Sequence, residues 1–286
     1  MRILLTGRTG QVGSALVPVL APLGELSAFD RNGLDLLDLN SVRTAIEKAR
    51  PDIIVNAAAY TAVDRAETEP EAAFAVNAAA VGILAEQAKK RGALLIHFST
   101  DYVFDGEKPS PYVETDPPNP LNVYGRSKLE GERAVTASGC RHFIFRTSWV
   151  YAPGGRNFVR AILAAAQTKP ELRVVNDQRG APTSSGAIAA AVARILGNPD
   201  ALLEPGGVYH LSAAGETTWY GFAKELLSMQ GLTTPVMGIS TAEYGAPARR
   251  PKNSLLDNAK LLRTFGVALA DWREGLREVS SKIEIQ

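Results

Sequence analysis

The first half of this chain is punctuated by short, mostly aliphatic runs at residues 2–5, 26–29, 53–55, 94–98 and 142–146. Each is too short for a helix and too apolar to leave one face in water. Strands of that kind are covered on both faces, which is the condition of a parallel sheet clothed by crossover helices. The intervening stretches 11–20, 41–49, 77–91 and 129–137 have the composition and length to supply those helices. The expected fold is therefore α/β, a Rossmann-type doubly wound parallel sheet. Beyond Tyr151 the rhythm loosens. A helix at 158–166, a strand at 172–175, an alanine-rich helix at 187–196 and a strand at 208–211 are expected there. Proline and glycine clusters at 109–120, 205–207 and 244–251 read as loops.

Composition removes several function classes. Lys and Arg total 31 against 30 Asp and Glu, a formal net charge of +1, so no global field draws the chain to nucleic acid or an anionic membrane. A single cysteine, Cys140, excludes an intramolecular disulfide and a cysteine zinc site. The N-terminal run turns glycine-rich at Gly7, too early for a signal-peptide core, and no apolar run approaches the roughly 18 residues that span a bilayer. The expectation is a reduced, soluble, cytoplasmic protein.

The turn after the first run reads Gly7-Arg8-Thr9-Gly10-Gln11-Val12-Gly13. Between a strand and a helix, glycines at such spacing allow a tight turn, close approach of backbone to a pyrophosphate, and close helix packing. The helix N-terminus adds free N–H groups and the positive end of its dipole. Asp30, at the end of the second run, is placed to bond an adenosine ribose, and Asp38-Leu39 to reach the adenine edge, unless Asp38 caps a helix or turn. A carboxylate at Asp30 disfavours a 2′-phosphate, whereas Arg8 and Arg31 attract one. NADPH is the expected cofactor, with NADH also accepted.

Tyr124 and Lys128 stand four residues apart, on one face of a helix if the segment is helical. A phenol with a cation beside it, lowering its pKa, suits proton donation to a ketone oxygen as hydride arrives. The same spacing recurs at Tyr220 and Lys224, but only the first pair follows Ser99-Thr100-Asp101, which closes the fourth run. In open α/β sheets ligands gather at carboxyl ends of strands, so Thr100 should face the same crevice as Tyr124.

With Val55-Asn56-Ala57-Ala58-Ala59-Tyr60-Thr61, Ser99-Thr100-Asp101-Tyr102-Val103-Phe104, Phe145-Arg146-Thr147-Ser148-Trp149 and Ala248-Arg249-Arg250-Pro251, these motifs resemble the extended short-chain dehydrogenase/reductase family along essentially the whole chain. The resemblance implies a reductase moving hydride from NAD(P)H to C4 of dTDP-4-dehydro-β-L-rhamnose. Tyr124 would be the proton donor, Lys128 would hold the nicotinamide ribose, and Thr100 would bond the ketone. Gly7, Gly10, Gln11, Val12, Gly13, Asp30, Arg31, Asp38, Leu39 and the turn Ala57, Ala58, Ala59, Tyr60, Thr61 would line the dinucleotide. Thr100, Asp101, Tyr102 and Trp149 would contact the deoxysugar; Trp149 also has a plain reading as a core residue. It further implies a dinucleotide-binding part, 1–152 with roughly 174–212 returning to it, and a smaller C-terminal α/β substrate part from roughly 153–173 and 213–286. Some members pair through a magnesium site of glutamates; here those positions are Ala15 and Gly186, which carry no carboxylate. A monomer, or a homodimer without a metal bridge, is expected, with no metal required for the chemistry. His97, His142 and His210 are scattered in or beside strands and read as structural.

Two other readings fit parts of the pattern. A nucleotide-sugar epimerase or 4,6-dehydratase belongs to the same superfamily, but the dehydratases carry Asp-Glu after the strand-four Thr, where this chain has Asp101-Tyr102. The regulatory β subunit of methionine adenosyltransferase, a cofactor-binding partner protein, is similar to the same reductases. An intact Thr100, Tyr124 and Lys128 favours an enzyme.

Overall fold

The structure, a computed structural model, describes residues 1–283; residues 284–286, the end of the expected substrate part, lie outside the described residues. Its first half winds β1 (Arg2–Thr6), α1 (Gln11–Leu20), β2 (Glu25–Phe29), α2 (Leu39–Ala49), β3 (Ile53–Asn56), β4 (Leu94–Thr100) and β5 (Arg141–Thr147) into one sheet. A sixth strand, Gly207–His210, returns from the second half to the free side of β5. The order is Gly207–His210, β5, β4, β3, β1, β2, with every neighbouring pair parallel. The strand order reverses between β1 and β3, and the crevice at that switch point is where open α/β sheets take their ligands.

Apolarity on both faces of each strand has the consequence the sequence implied. Ile3 and Leu5 point into a core covered by α1 and by the helices Ser185–Leu196 and Ala259–Phe265, while Leu4 between them enters a second core under α2 and the helix Ala80–Arg91. The alternation repeats at Ile53, Ile54, Val55 and at Phe143, Ile144, Phe145. A third core gathers Tyr151, Val159, Leu163, Leu172, Phe222, Leu226, Trp272 and Leu276 around the helices Phe158–Thr168, Trp219–Met229 and Trp272–Ser280. Strand Leu172–Val175 belongs there, paired in parallel with Val236–Ile239.

Two helical stretches begin more than a turn earlier than expected. The helix foreseen at 129–137 runs Val123–Ser138, because the Asn122 side chain caps it by accepting from Gly125 N at 2.8 Å. The stretch foreseen as one helix from residue 77 is Pro70–Phe74, a wide turn over Ala75–Ala79, and then Ala80–Arg91.

The helix Val123–Ser138 is fixed to the sheet by a buried ion pair. Glu132 accepts from Arg146 of β5 through both carboxylate oxygens, at 2.9 and 2.6 Å, and from Ser99 of β4 at 2.5 Å. The two charged side chains are only 4% and 5% exposed. Neutralising one partner leaves the other charge buried alone. Glu132→Gln should therefore lower the unfolding free energy by about 3–5 kcal/mol in urea titration. Adding Arg146→Met to that variant should restore a substantial part of the loss.

Candidate active site

The glycine turn follows β1 as expected, and its backbone is packed too tightly for side chains. Gly7 has φ +73°, and a Cβ there would lie 2.7–2.8 Å from the backbone of Ala57 and Ala58. A Cβ on Gly13 would lie 2.0 Å from Gly7 O. The first turn of α1, entered through Gly10, thus opens beside the turn that follows β3, on either side of the switch point. Gly10 is exposed, Gln11 and Val12 are half-buried, and Gln11 Oε1 is buried without a partner among the described residues. An orphan acceptor beside free helix N–H groups fits a ligand carrying both phosphates and donors.

The turn Ala57–Thr61 is pinned by a residue that the sequence did not single out. Asn77 accepts from Tyr60 N at 2.9 Å, and donates to Tyr60 O and Ser127 Oγ at 3.0 Å each. Ala58 N donates to Thr6 Oγ1, while the Tyr60 hydroxyl is committed to Glu69. At the far side of the turn, Asp30 Oδ1 accepts from Asn32 N and Gly33 N, and its Oδ2 lies 3.4 Å from Arg8 Nε. Arg31 leans instead toward Asp35, 3.7 Å away. Asp38 caps α2, accepting from Asn40 N and Ser41 N, and Leu39 opens that helix with its side chain against the second core. The capping alternative thus describes one Asp38 oxygen.

Thr100 closes β4, next to Thr147 of β5. Its hydroxyl donates to Asp101 Oδ1 at 3.0 Å and accepts from Tyr102 N at 3.1 Å. Gly125, whose Cβ would lie 2.1 Å from Tyr102 O, lets the helix N-terminus press against this corner. Tyr124 is thereby set edge-on to Tyr102, with ring centroids 5.7 Å apart. Burial pushes the Tyr124 phenol up to about 12, against a downward pull from its hydrogen bond with Thr100. Burial likewise raises the Asp101 carboxyl to about 7, opposed by hydrogen bonds from Ser254 and Thr100, and its Oδ2 has no partner among the described residues.

Lys128 departs from expectation. The sequence reading had its cation lowering the phenol's pKa. The structure turns its nitrogen toward β4, where it donates to Phe98 O at 2.7 Å and meets His97 Nε2 at 3.4 Å. The phenol consequently feels burial, Thr100 and Asp101, and its pKa rises. His97, one of three histidines read as structural, lies directly behind the lysine. His142 Nδ1 faces Cys140 O, and His210 is buried edge-on to Phe104. The second Tyr/Lys pair, Tyr220 and Lys224, forms a cation–π contact on a helix that covers the third core.

Trp149 follows β5 at φ 48°, a left-handed conformation unusual for a residue with a side chain. Its indole stacks on Trp219 with centroids 3.7 Å apart and planes 9° from parallel, and Gly180 supplies a floor where a Cβ would lie 2.5 Å from the ring. Trp219 donates to Gln178 Oε1 at 3.1 Å. Trp149 is 8% exposed, so it is at once a packed residue and a strained one beside the crevice. No group of three or more metal-ligating side chains occurs among the described residues, and no helix there is long and apolar enough to cross a membrane.

A glycine cradle at the switch point of a parallel sheet, with a Tyr-x-x-x-Lys helix beside the Thr that ends β4, defines an extended short-chain dehydrogenase/reductase. Comparison with known proteins narrows the class. The chain belongs to the family described as RmlD substrate binding domain, which it matches over residues 1–285. It is 49% identical over 287 residues to a dTDP-4-dehydrorhamnose reductase of Sinorhizobium fredii, covering 98% of this chain and 96% of that one. The corresponding reductase of Escherichia coli K12 is 44% identical over 297 residues, with coverage of 99% and 98%. Among solved structures, a dTDP-4-dehydrorhamnose reductase from Bacillus anthracis in complex with NADP superposes with a TM-score of 0.91 at 36% identity, covering 97% of this chain and 98% of that chain.

The Gly13–Gly7 contact gives a test of the cradle. Gly13→Ala must push the turn away from α1. It should weaken NADPH binding, followed by fluorescence titration, by at least about tenfold, or roughly 1.4 kcal/mol.

Proposed function

We propose that this chain is an NAD(P)H-dependent reductase that converts dTDP-4-dehydro-β-L-rhamnose to dTDP-β-L-rhamnose by hydride transfer to C4. The observation that carries the reading is Tyr124, a phenol kept protonated by burial and set beside Thr100 and Asp101 at the carboxyl end of β4. That corner and the glycine cradle lie at the same carboxyl edge of the parallel sheet, with only β3 between their strands. Agreement with the reductases of Sinorhizobium fredii and Escherichia coli over nearly the whole chain supports the substrate.

In this reading Gly7, Gly10, Gln11, Val12 and Gly13 receive the pyrophosphate, Asp30, Arg31, Asp38 and Leu39 the adenosine end, and Ala57–Thr61 the middle of the dinucleotide. The bound dinucleotide supplies the hydride. The chain's own residues orient the ketone and manage its proton. Thr100 bonds the sugar carbonyl by turning its hydroxyl hydrogen from Asp101 Oδ1 to the ketone oxygen, with Asp101, Tyr102 and Trp149 around the deoxysugar. Tyr124 holds at its hydroxyl the proton that the developing alkoxide takes. Lys128 bonds the nicotinamide ribose. A phenol whose pKa sits near 12 is fully protonated at neutral pH, and an alkoxide is basic enough to take that proton. The dinucleotide occupies the part built from 1–152 and roughly 174–212, and the sugar nucleotide the remainder. With Ala15 and Gly186 where carboxylates would bridge subunits, the enzyme is a monomer or a homodimer without a metal bridge.

Three substitutions check these assignments. Tyr124→Phe should retain dinucleotide binding and lose turnover by about 10²–10⁴-fold, the usual worth of general acid catalysis. Turnover close to that of the parent enzyme would remove Tyr124 from the chemistry. Arg8→Ala and Arg31→Ala should each weaken NADPH more than NADH, because only NADPH offers a guanidinium a 2′-phosphate. Kd values for both cofactors would read this directly, and Arg8, already against Asp30, should have the larger effect.

A further inference from the structure

Behind Lys128 runs a buried chain of polar side chains that the reaction above leaves unused. Lys128 Nζ lies 3.4 Å from His97 Nε2; His97 Nδ1 lies 3.0 Å from Asn56 Nδ2; Asn56 Oδ1 accepts from Thr6 Oγ1 at 2.7 Å. All four residues are buried, with His97 at 0% exposure. Together they join the ends of β1 and β3 and the middle of β4 to the tyrosine-bearing helix. Gly131 permits the approach: a Cβ there would lie 2.1 Å from Asn77 O and 3.7 Å from His97 Nε2.

Counting hydrogens sets the polarity of this chain. The Thr6 hydroxyl hydrogen goes to Asn56 Oδ1, so Asn56 presents its amide N–H to His97 Nδ1, which must accept. A neutral imidazole with an accepting Nδ1 carries its proton on Nε2. Burial holds His97 well below the ordinary histidine range, so the ring is neutral. The Nε2–H therefore points at the lysine nitrogen. An amine has a lone pair to receive it, and an ammonium has none.

We propose that His97 is a positioning residue for Lys128, donating from Nε2 to the lysine nitrogen and so favouring amine over ammonium, which lets Lys128 exchange its proton within the working pH range. The proposal rests on the reading of Tyr124 and Lys128 as the working pair. The exchange is of one proton between Nζ and water in the site, with His97 unchanged. Burial already brings Lys128 down to about 8, opposed by Glu132 one turn further along the helix. That carboxylate is itself bound by Arg146 and Ser99. Tyr124 precedes Lys128 by a turn, and Asp101 stands past the end of β4. Thr6 and Asn56, from β1 and β3, do not titrate.

The test is the pH dependence of turnover with NADPH and the dTDP-4-keto-sugar. If the ammonium holds the ribose, activity falls as pH rises through the Lys128 pKa. His97→Leu removes the donor to the amine, raises that pKa, and should move the alkaline limb upward by about one pH unit, the worth of one net hydrogen bond. His97→Gln keeps an N–H in reach and should leave the limb near its original position. A limb unmoved or lowered in His97→Leu would overturn the proposal. Should His97→Leu not fold, ¹⁵N NMR of the unsubstituted enzyme reads the tautomer. A proton on His97 Nε2 is expected, and one on Nδ1 overturns the proposal. His142, whose Nδ1 faces Cys140 O at 2.8 Å and must donate to it, provides a contrast at Nδ1. Full turnover in Lys128→Met would refute the underlying Tyr124–Lys128 reading. Lost turnover there, with an unmoved limb in His97→Leu, would refute the role of His97 alone.

Discussion

The site depends on where one helix sits, and that helix is seated by Glu132. Its carboxylate bridges Arg146 on β5 and Ser99 on β4, so the helix is registered against two strands at once. An apolar contact would permit sliding by a fraction of a turn, whereas a bidentate buried pair has one geometry. Tyr124 and Lys128 lie two turns and one turn before Glu132, and inherit its precision. At the other end, Asn122 caps the helix and donates to Arg249 O at 2.7 Å, tying the same element to the C-terminal segment. The arrangement costs stability relative to a packed apolar core. We attribute its presence to the need for an exact helix register.

The glycine cradle obeys a different constraint, the absence of atoms. Gly7 and Gly13 matter because nothing fits where their side chains would be, and the turns after β1 and β3 touch backbone to backbone. Gly125 and Gly131 serve the helix in the same way, against Tyr102 O and Asn77 O. The crevice is thus bounded by close backbone contacts on one side and by hydrogen-bonded side chains on the other. A pocket of this kind needs little reorganisation to receive a ligand.

Much of this was legible in the sequence, because the signals were local. Apolar runs such as 53–55 marked strands, and the glycine triplet marked the turn that follows the first. Thr100 and Tyr124 were legible together because the end of a parallel strand and the next helix face one crevice. What stayed hidden were pairings between distant elements. Asn77 lies in an alanine-rich stretch with no pattern to mark it, yet it pins the Ala57–Thr61 turn. His97 reads as an interruption in an apolar strand, and only the parallel register of β3 and β4 sets it beside Asn56. The direction of the Lys128 side chain was equally invisible, since spacing gives the face of a helix and not the partner its nitrogen finds. Trp149 had two readings in sequence, core and pocket, and its stack on Trp219 is the packing that the first of them foresaw.

The wholly parallel order of the sheet also bears on how this site comes into being. Parallel neighbours cannot be joined by a tight turn, so each pairing closes a crossover loop and meets its entropy before gaining its hydrogen bonds. The strand Gly207–His210 pairs with β5 across some sixty residues of intervening chain, and a topology so rich in distant contacts folds slowly. Thr6, Asn56, His97 and Thr100 come from three strands and converge only when β1, β3 and β4 lie side by side. A partly folded chain has its residues but no crevice, and the corner at the end of β4 arrives with the completed sheet.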